Sequence, residues 1–228
     1  MQLRTPINRD TIRHHIQYNA WKYVVLAVVS VFLWDMVYTT TAYRPPQDKR
    51  IDIYIQTGTA EAEVVDHAFD EIRTQALPEI ELVNTAFLIG GGQADMYAAQ
   101  QLMTYIMARE GDLYFLRSED FKRYASQGVF IDLEPLVDQG VLNTEGIDLT
   151  SGFVAMQEYD EDTQQMVTTS SRRLYGIPAG SLPGFAANLN IDSRDLYLSA
   201  TVYNENDDNV MRFLNELISR MRAPAPST

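Results

Sequence analysis

The chain has 228 residues and a formal net charge of −13, long enough for one well-cored domain beside a membrane segment. It contains no cysteine, which excludes disulfides, thiolate zinc sites and a cysteine nucleophile. Residues 44–228 hold 14 Lys and Arg against 29 Asp and Glu, a balance that argues against nucleic acid and against anionic lipid as partners.

Residues 5–22 (TPINRDTIRHHIQYNAWK) predict a short helical lead-in with Ile12 and Ile16 on one face and Arg13 on another. His14 and His15 are adjacent, so on a helix they point apart and cannot share one metal. Tyr23 to Tyr43 (YVVLAVVSVFLWDMVYTTTAY) then form an apolar stretch, where about 20 helical residues cross a hydrocarbon core. Arg4, Arg9, Arg13 and Lys22 precede it, against the single acid Asp10. The positive-inside rule then places the N-terminus in the cytoplasm and the acidic remainder outside.

A cleaved secretory signal ending near Thr40-Thr41-Ala42 is the competing reading. The long basic lead-in and the apolar run beyond Asp35 favour a retained anchor, and a bacterial lipid anchor would need a cysteine. Asp35 has two readings. It sits near the outer interface with Trp34, Tyr38 and Tyr43, or it pairs with a membrane partner, since an acid at mid-membrane is costly.

Residues 44–50 (RPPQDKR) read as a stiff polar linker. Beyond it the pattern alternates. Ile51–Gln56 predicts a strand, Ala60–Leu77 a helix stopped by Pro78, and Ile80–Ile89 a second strand ended by Gly90-Gly91-Gly92. Ala94–Arg109 predicts a helix capped by Gly111, Asp112–Leu116 a strand, and Ser118–Gln127 a helix with Ser118 as N-cap. A short helical turn follows around Pro135. This β-α-β-α-β order argues an α/β fold with parallel strands and right-handed crossovers. Gly152–Glu158 and Met166–Ser170 then read as a hairpin with the acidic tip Tyr159-Asp160-Glu161-Asp162. Leu174–Pro178, Phe185–Asn188 and Asp195–Tyr203 read as strands, Asn204–Asn209 as a loop and Val210–Met221 as a closing helix. Residues 51–222 are thus one extracytoplasmic domain, and 223–228 a disordered tail.

The stretch Gly111–Gly140 (GDLYFLRSEDFKRYASQGVFIDLEPLVDQG) resembles bacterial extracellular solute-binding proteins of ABC importers, of the sugar-binding type. Asp112, Tyr114, Phe121, Tyr124, Gly128, Asp132, Leu133 and Leu136 carry the match, and Arg173–Gly180 (RLYGIPAG) resembles the family's returning strand. The resemblance implies a type II periplasmic-binding-protein-like lobe, a mostly parallel central sheet flanked by helices and preceded here by one transmembrane helix. It also implies a small-molecule ligand, a sugar or oligosaccharide foremost, and an ABC transporter as partner. Family members have two lobes and about twice this length. Here the second lobe is missing or reduced to a few strands.

Ligands of open α/β sheets sit at the carboxyl ends of the strands. The candidate hydrogen-bonding residues there are Thr57, Thr59, Ser118, Glu119 and Ser181, with Tyr54 or Tyr175 as a ring face or as core. Gly90-Gly91-Gly92 lacks the Lys-Ser/Thr of a phosphate loop. Asp160-Glu161-Asp162 and Asp207-Asp208 lack the calcium-loop pattern. His67 is the one histidine of the outer domain, and no G-x-S-x-G motif is present, so no cofactor, metal or catalytic set is expected.

Overall fold

A computed structural model of the protein describes residues 9–41, 43, 45–58, 61–90, 94–160, 164–201 and 207–223. The chain divides into two compact units, Met1–Arg44 and Pro45–Thr228. In the first, the lead-in and the apolar stretch form one continuous helix, α1 (Arg9–Thr41). Its segment Tyr18–Thr41 is long and apolar enough to cross a membrane by length and composition. The hydroxyls of Ser30, Thr39, Thr40 and Thr41 donate back to the carbonyls of Leu26, Asp35, Met36 and Val37 at 2.6–2.8 Å. These polar groups are therefore satisfied inside the helix, as an apolar solvent requires.

The second unit alternates strand and helix as its periodicity dictates. β1 (Arg50–Thr57), α2 (Ala62–Ala76), β2 (Leu82–Ile89), α3 (Ala94–Met107), β3 (Leu113–Arg117) and α4 (Ser118–Ser126) come first. After α5 (Glu134–Asp138), a separate two-stranded sheet forms from β4 (Phe153–Asp160) and β5 (Gln165–Leu174). β6 (Ile177–Pro178), α6 (Gly184–Leu189), β7 (Leu196–Ala200) and α7 (Asp207–Met221) complete the chain. The main sheet has the order β2-β1-β3-β7-β6. β1 is parallel to β2 and β3, while β7 is antiparallel to both β3 and β6. Four of the five strands therefore point one way, and β7 alone runs against them.

Period two along β1 and β3 makes both sheet faces apolar. Ile51, Ile53, Ile55, Leu113 and Phe115 face the layer of α2, α6 and α7, where Phe69, Phe185 and Phe213 meet them. Phe69 is edge-on to Phe115 and Phe213, and Phe115 to Phe185, an arrangement aromatic quadrupoles favour. Tyr54, Tyr114 and Leu116 face the opposite layer, built from Leu102, Ile106, Phe121 and Tyr124 of α3 and α4. At the amino-terminal end of the strands, Asp112 accepts from the Asp52 amide at 2.7 Å, and Asp52 accepts from Asn84 at 3.0 Å. Arg50 closes this group with an ion pair to Asp52 at 2.9 Å.

Several local expectations change. Phe185–Asn188 forms α6, not a strand. Phe185 and Leu189 lie one helical turn apart, both fully buried, and Asn190 ends the turn at φ 53°. The hairpin arm read at Met166–Ser170 extends over the whole of β5, and Leu174 belongs to it, which leaves β6 with two residues. Asp207, Asp208 and Asn209 form the first turn of α7, where two acids complement the helix dipole. Residues 202–206, part of the strand and loop expected there, lie outside the described residues, as do Glu161 and Asp162 of the acidic tip and most of the tail.

Gly152 marks the tightest approach of backbone to backbone. A side-chain carbon there would collide with the Gly176 carbonyl oxygen and come within 2.9 Å of Leu174 Cδ1. Gly152→Ala is expected to cost about 1–3 kcal/mol, the usual range for overpacking, measured as a lowered urea midpoint of far-UV circular dichroism at unchanged m-value.

Candidate functional site

Because β1, β2, β3 and β6 share a direction, their carboxyl ends form one rim, at the end of the sheet opposite Arg50. Thr57 ends β1. Its side chain is buried, and its carbonyl accepts from the Gly90 amide at 3.2 Å. Thr59, Gly91 and Gly92 lie outside the described residues.

β3 runs directly into α4. Ser118, expected as the N-cap, is instead the first helical residue, and the cap is Arg117, still in extended strand geometry at φ −67°, ψ 154°. The Ser118 amide donates to the Asp195 carbonyl at 3.2 Å, tying the rim to the turn before β7. Glu119 is exposed and pairs with Arg123 at 3.1 Å. Ser181 is exposed at the end of a 3-10 turn, Ala179–Ser181, that follows β6. Thr57, Ser118, Glu119 and Ser181 thus occupy the strand ends at which they were placed.

Tyr54 and Tyr175 lie in the core. Tyr54 stacks on Tyr105 and Tyr114, with ring centroids at 4.3 and 5.2 Å. Burial, then the Glu110 and Asp52 carboxylates, push its phenol well above the ordinary range. Tyr175 is buried in the same aromatic layer, which raises its phenol too. Both rings are taken up by packing in this conformation.

Sequence reasoning passed over the groups that organise the rim. Gln56 accepts from the Arg117 amide at 3.0 Å and donates to Asp120 at 2.8 Å. Asp120 in turn pairs with Arg123 at 3.1 Å. The exposed Arg117 guanidinium crosses Gly58, 3.5 Å from where a side-chain carbon would stand. Asp192 accepts from Arg194 Nε at 2.9 Å and from Nη2 at 2.6 Å, a bidentate pair. Hydrogen bonds from the Arg194 side chain and amide bring the Asp192 carboxyl down to about 2, and Arg117 adds to the effect. The available signal was positional: Arg117 immediately precedes Ser118, and Gln56 immediately precedes Thr57.

Arg117, Glu119 and Ser181 are thus the exposed polar residues at these strand ends, with Ser118 partly exposed and Thr57 buried. His67 lies elsewhere, on α2, beside an open groove of about 880 Å³ that Glu63, Glu71, Asn188, Arg220 and Met221 also line. Asp35 is exposed on α1, two turns before its end.

No protein-family model matches the chain, and the search of curated proteins returns no match. Solved structures do. An extracellular solute-binding protein family 1 member from Alicyclobacillus acidocaldarius is 19% identical, over 59% of this chain and 29% of its own, with a TM-score of 0.41. An ABC substrate-binding protein from Listeria monocytogenes, solved in complex with cycloalternan, is 21% identical over 56% of this chain and 28% of its own, with a TM-score of 0.36. A probable secreted solute-binding lipoprotein from Streptomyces coelicolor is 18% identical over 59% and 30%, with a TM-score of 0.32. The aligned part spans less than a third of each of them.

The Asp192 depression has a direct check. A carboxyl held low adds stability above its unfolded pKa, and that contribution is lost as pH falls through the folded one, here between about 3.9 and about 2. In Arg194→Ala the Asp192 carboxyl should titrate higher by NMR, yet stay below its ordinary value because the residue-194 amide bond of 3.2 Å remains.

Proposed function

We propose that this protein is a membrane-anchored, non-catalytic solute-binding lobe that captures or presents a small solute beside an ABC transporter, with a sugar or oligosaccharide as the favoured class. The observation that carries this is the rim. Three strands, β1, β3 and β6, bring Thr57, Arg117, Ser118, Glu119 and Ser181 to the end of the sheet opposite Arg50, where the chain enters from residues 45–49. The apolar helix with its basic lead-in supports an N-terminus in the cytoplasm and the acidic unit on the extracytoplasmic side. Thr59 belongs to the proposed ligand set by its place in sequence.

A second reading rests on Asp35. An acid within an apolar helix is stabilised when it pairs with a partner helix, and the protein would then be an interaction subunit that keeps the fold without using the rim.

Calorimetric titration of the full chain in nanodiscs with glucose oligosaccharides tests the first reading. Micromolar binding is expected, weakened about 10- to 100-fold by Arg117→Ala or Glu119→Gln, as loss of a charge-assisted hydrogen bond implies. No heat across the panel overturns capture. The subunit reading then requires that Asp35→Asn reduce recovery of a cross-linked membrane protein. Topology is checked separately. The chain has no native cysteine, so Asp138→Cys on exposed α5 should react with a membrane-impermeant maleimide on intact cells, and no labelling would overturn the orientation.

A further inference from the structure

The sheet margin carries a face that the proposed function does not use. Among the described residues, β2 is hydrogen-bonded on one side only, to β1. Its sequence, LVNTAFLI, contains no charge and no proline, the devices that usually blunt an open edge. Leu82 and Ile89 are exposed at its two ends.

The helix packed on β2 carries one charged residue, Asp95. α3 buries Ala98, Leu102 and Ile106 toward the sheet, yet leaves Met96, Met103 and Met107 at 77%, 56% and 73% exposure. At 100° per residue, Met103 lies about 160° around the helix from Tyr105. Tyr105 stacks on Tyr54 of β1, inward from the margin. The methionines therefore occupy the flank away from β1, toward the open edge and solvent. In the whole of α3 only Asp95 is ionisable at neutral pH, in a unit whose residues otherwise carry a large acidic excess.

We propose that β2 and this flank of α3 form a homodimer interface. A second copy pairs its β2 antiparallel with the first across a twofold axis, the two sheets continue into one, and the α3 methionines meet across the seam. Three observations select a second copy as the occupant. An open strand edge is self-complementary under twofold rotation. Two copies of an acidic unit repel everywhere except across an uncharged strip such as this one. The area also fits. β2 spans about 26 Å, and with the adjoining flank of α3 the strip is about 20 Å wide, so roughly 500 Å² per copy or about 1,000 Å² in all is buried. That is the lower bound for a specific interface. The pair is accordingly weak when dilute, and anchoring both copies in one membrane raises their effective concentration.

The cysteine-free chain makes the test direct. Full-length Met103→Cys, reconstituted in zwitterionic vesicles, is treated with a short bis-maleimide, beside Asp138→Cys as a control on another surface. Met103→Cys should give at least fivefold more cross-linked dimer than the control. Adding Leu82→Lys and Met107→Lys, both at exposed positions, should return the yield to the control level with the circular dichroism unchanged. Equal yields for the two cysteine variants overturn the proposal. So does quenching, by a lipid-borne quencher, of a fluorophore carried on the thiol of the Met103→Cys variant, which would assign the face to the bilayer.

Discussion

The structure depends on one constraint: the central strands are apolar on both sides. β1 places isoleucines on one face and Tyr54 on the other, and Leu113 to Leu116 of β3 are buried throughout. A sheet of this kind is stable only between two covering layers. The α2, α6 and α7 layer covers the isoleucine face, while α3 and α4 cover the tyrosine face. With both faces filled, the strand ends and the β2 edge are what the covering layers leave open. The carboxyl rim and the β2 edge are therefore consequences of the same packing, and they differ in chemistry because the rim is built from loop residues and the edge from strand residues.

The rim is held by hydrogen bonds that reach across strands. Gln56 bridges the end of β1 to the β3–α4 junction, so the position of Arg117 is fixed by a neighbouring strand rather than by its own loop. The Ser118 amide bonded to Asp195 does the same from the β7 side. Both bonds tie the rim to neighbouring strands of the sheet.

The alternating part of the fold was legible in the sequence because its signals are local. Period two in Ile51–Gln56, the stripe through Val65, Phe69 and Ile72, and the glycine stops at 111 and 128 each report one element. Errors gathered where distant partners decide. The residues of α6 are short and apolar and read as strand. A side-chain carbon at Gly184 would come within 2.7 Å of the Met221 backbone, so only a compact turn fits against α7. The side-chain candidates divided the same way. Ser118, Glu119 and Ser181 follow from knowing where strands end. The burial of Tyr54 and Tyr175 follows from Tyr105, Phe121 and Tyr197, which no local pattern brings together.

The position of β7 has a consequence for how the protein reaches its native state. β7 lies between β3 and β6 in space but comes last of the strands in sequence, at residues 196–200. The place beside β3 cannot be filled, nor α7 laid over the isoleucine face, until residues 196–221 are available. A growing chain that has not yet delivered β7 would thus hold an unfinished sheet. Completing it means closing the long loops between β3 and β7, the kind of non-local pairing that slows folding.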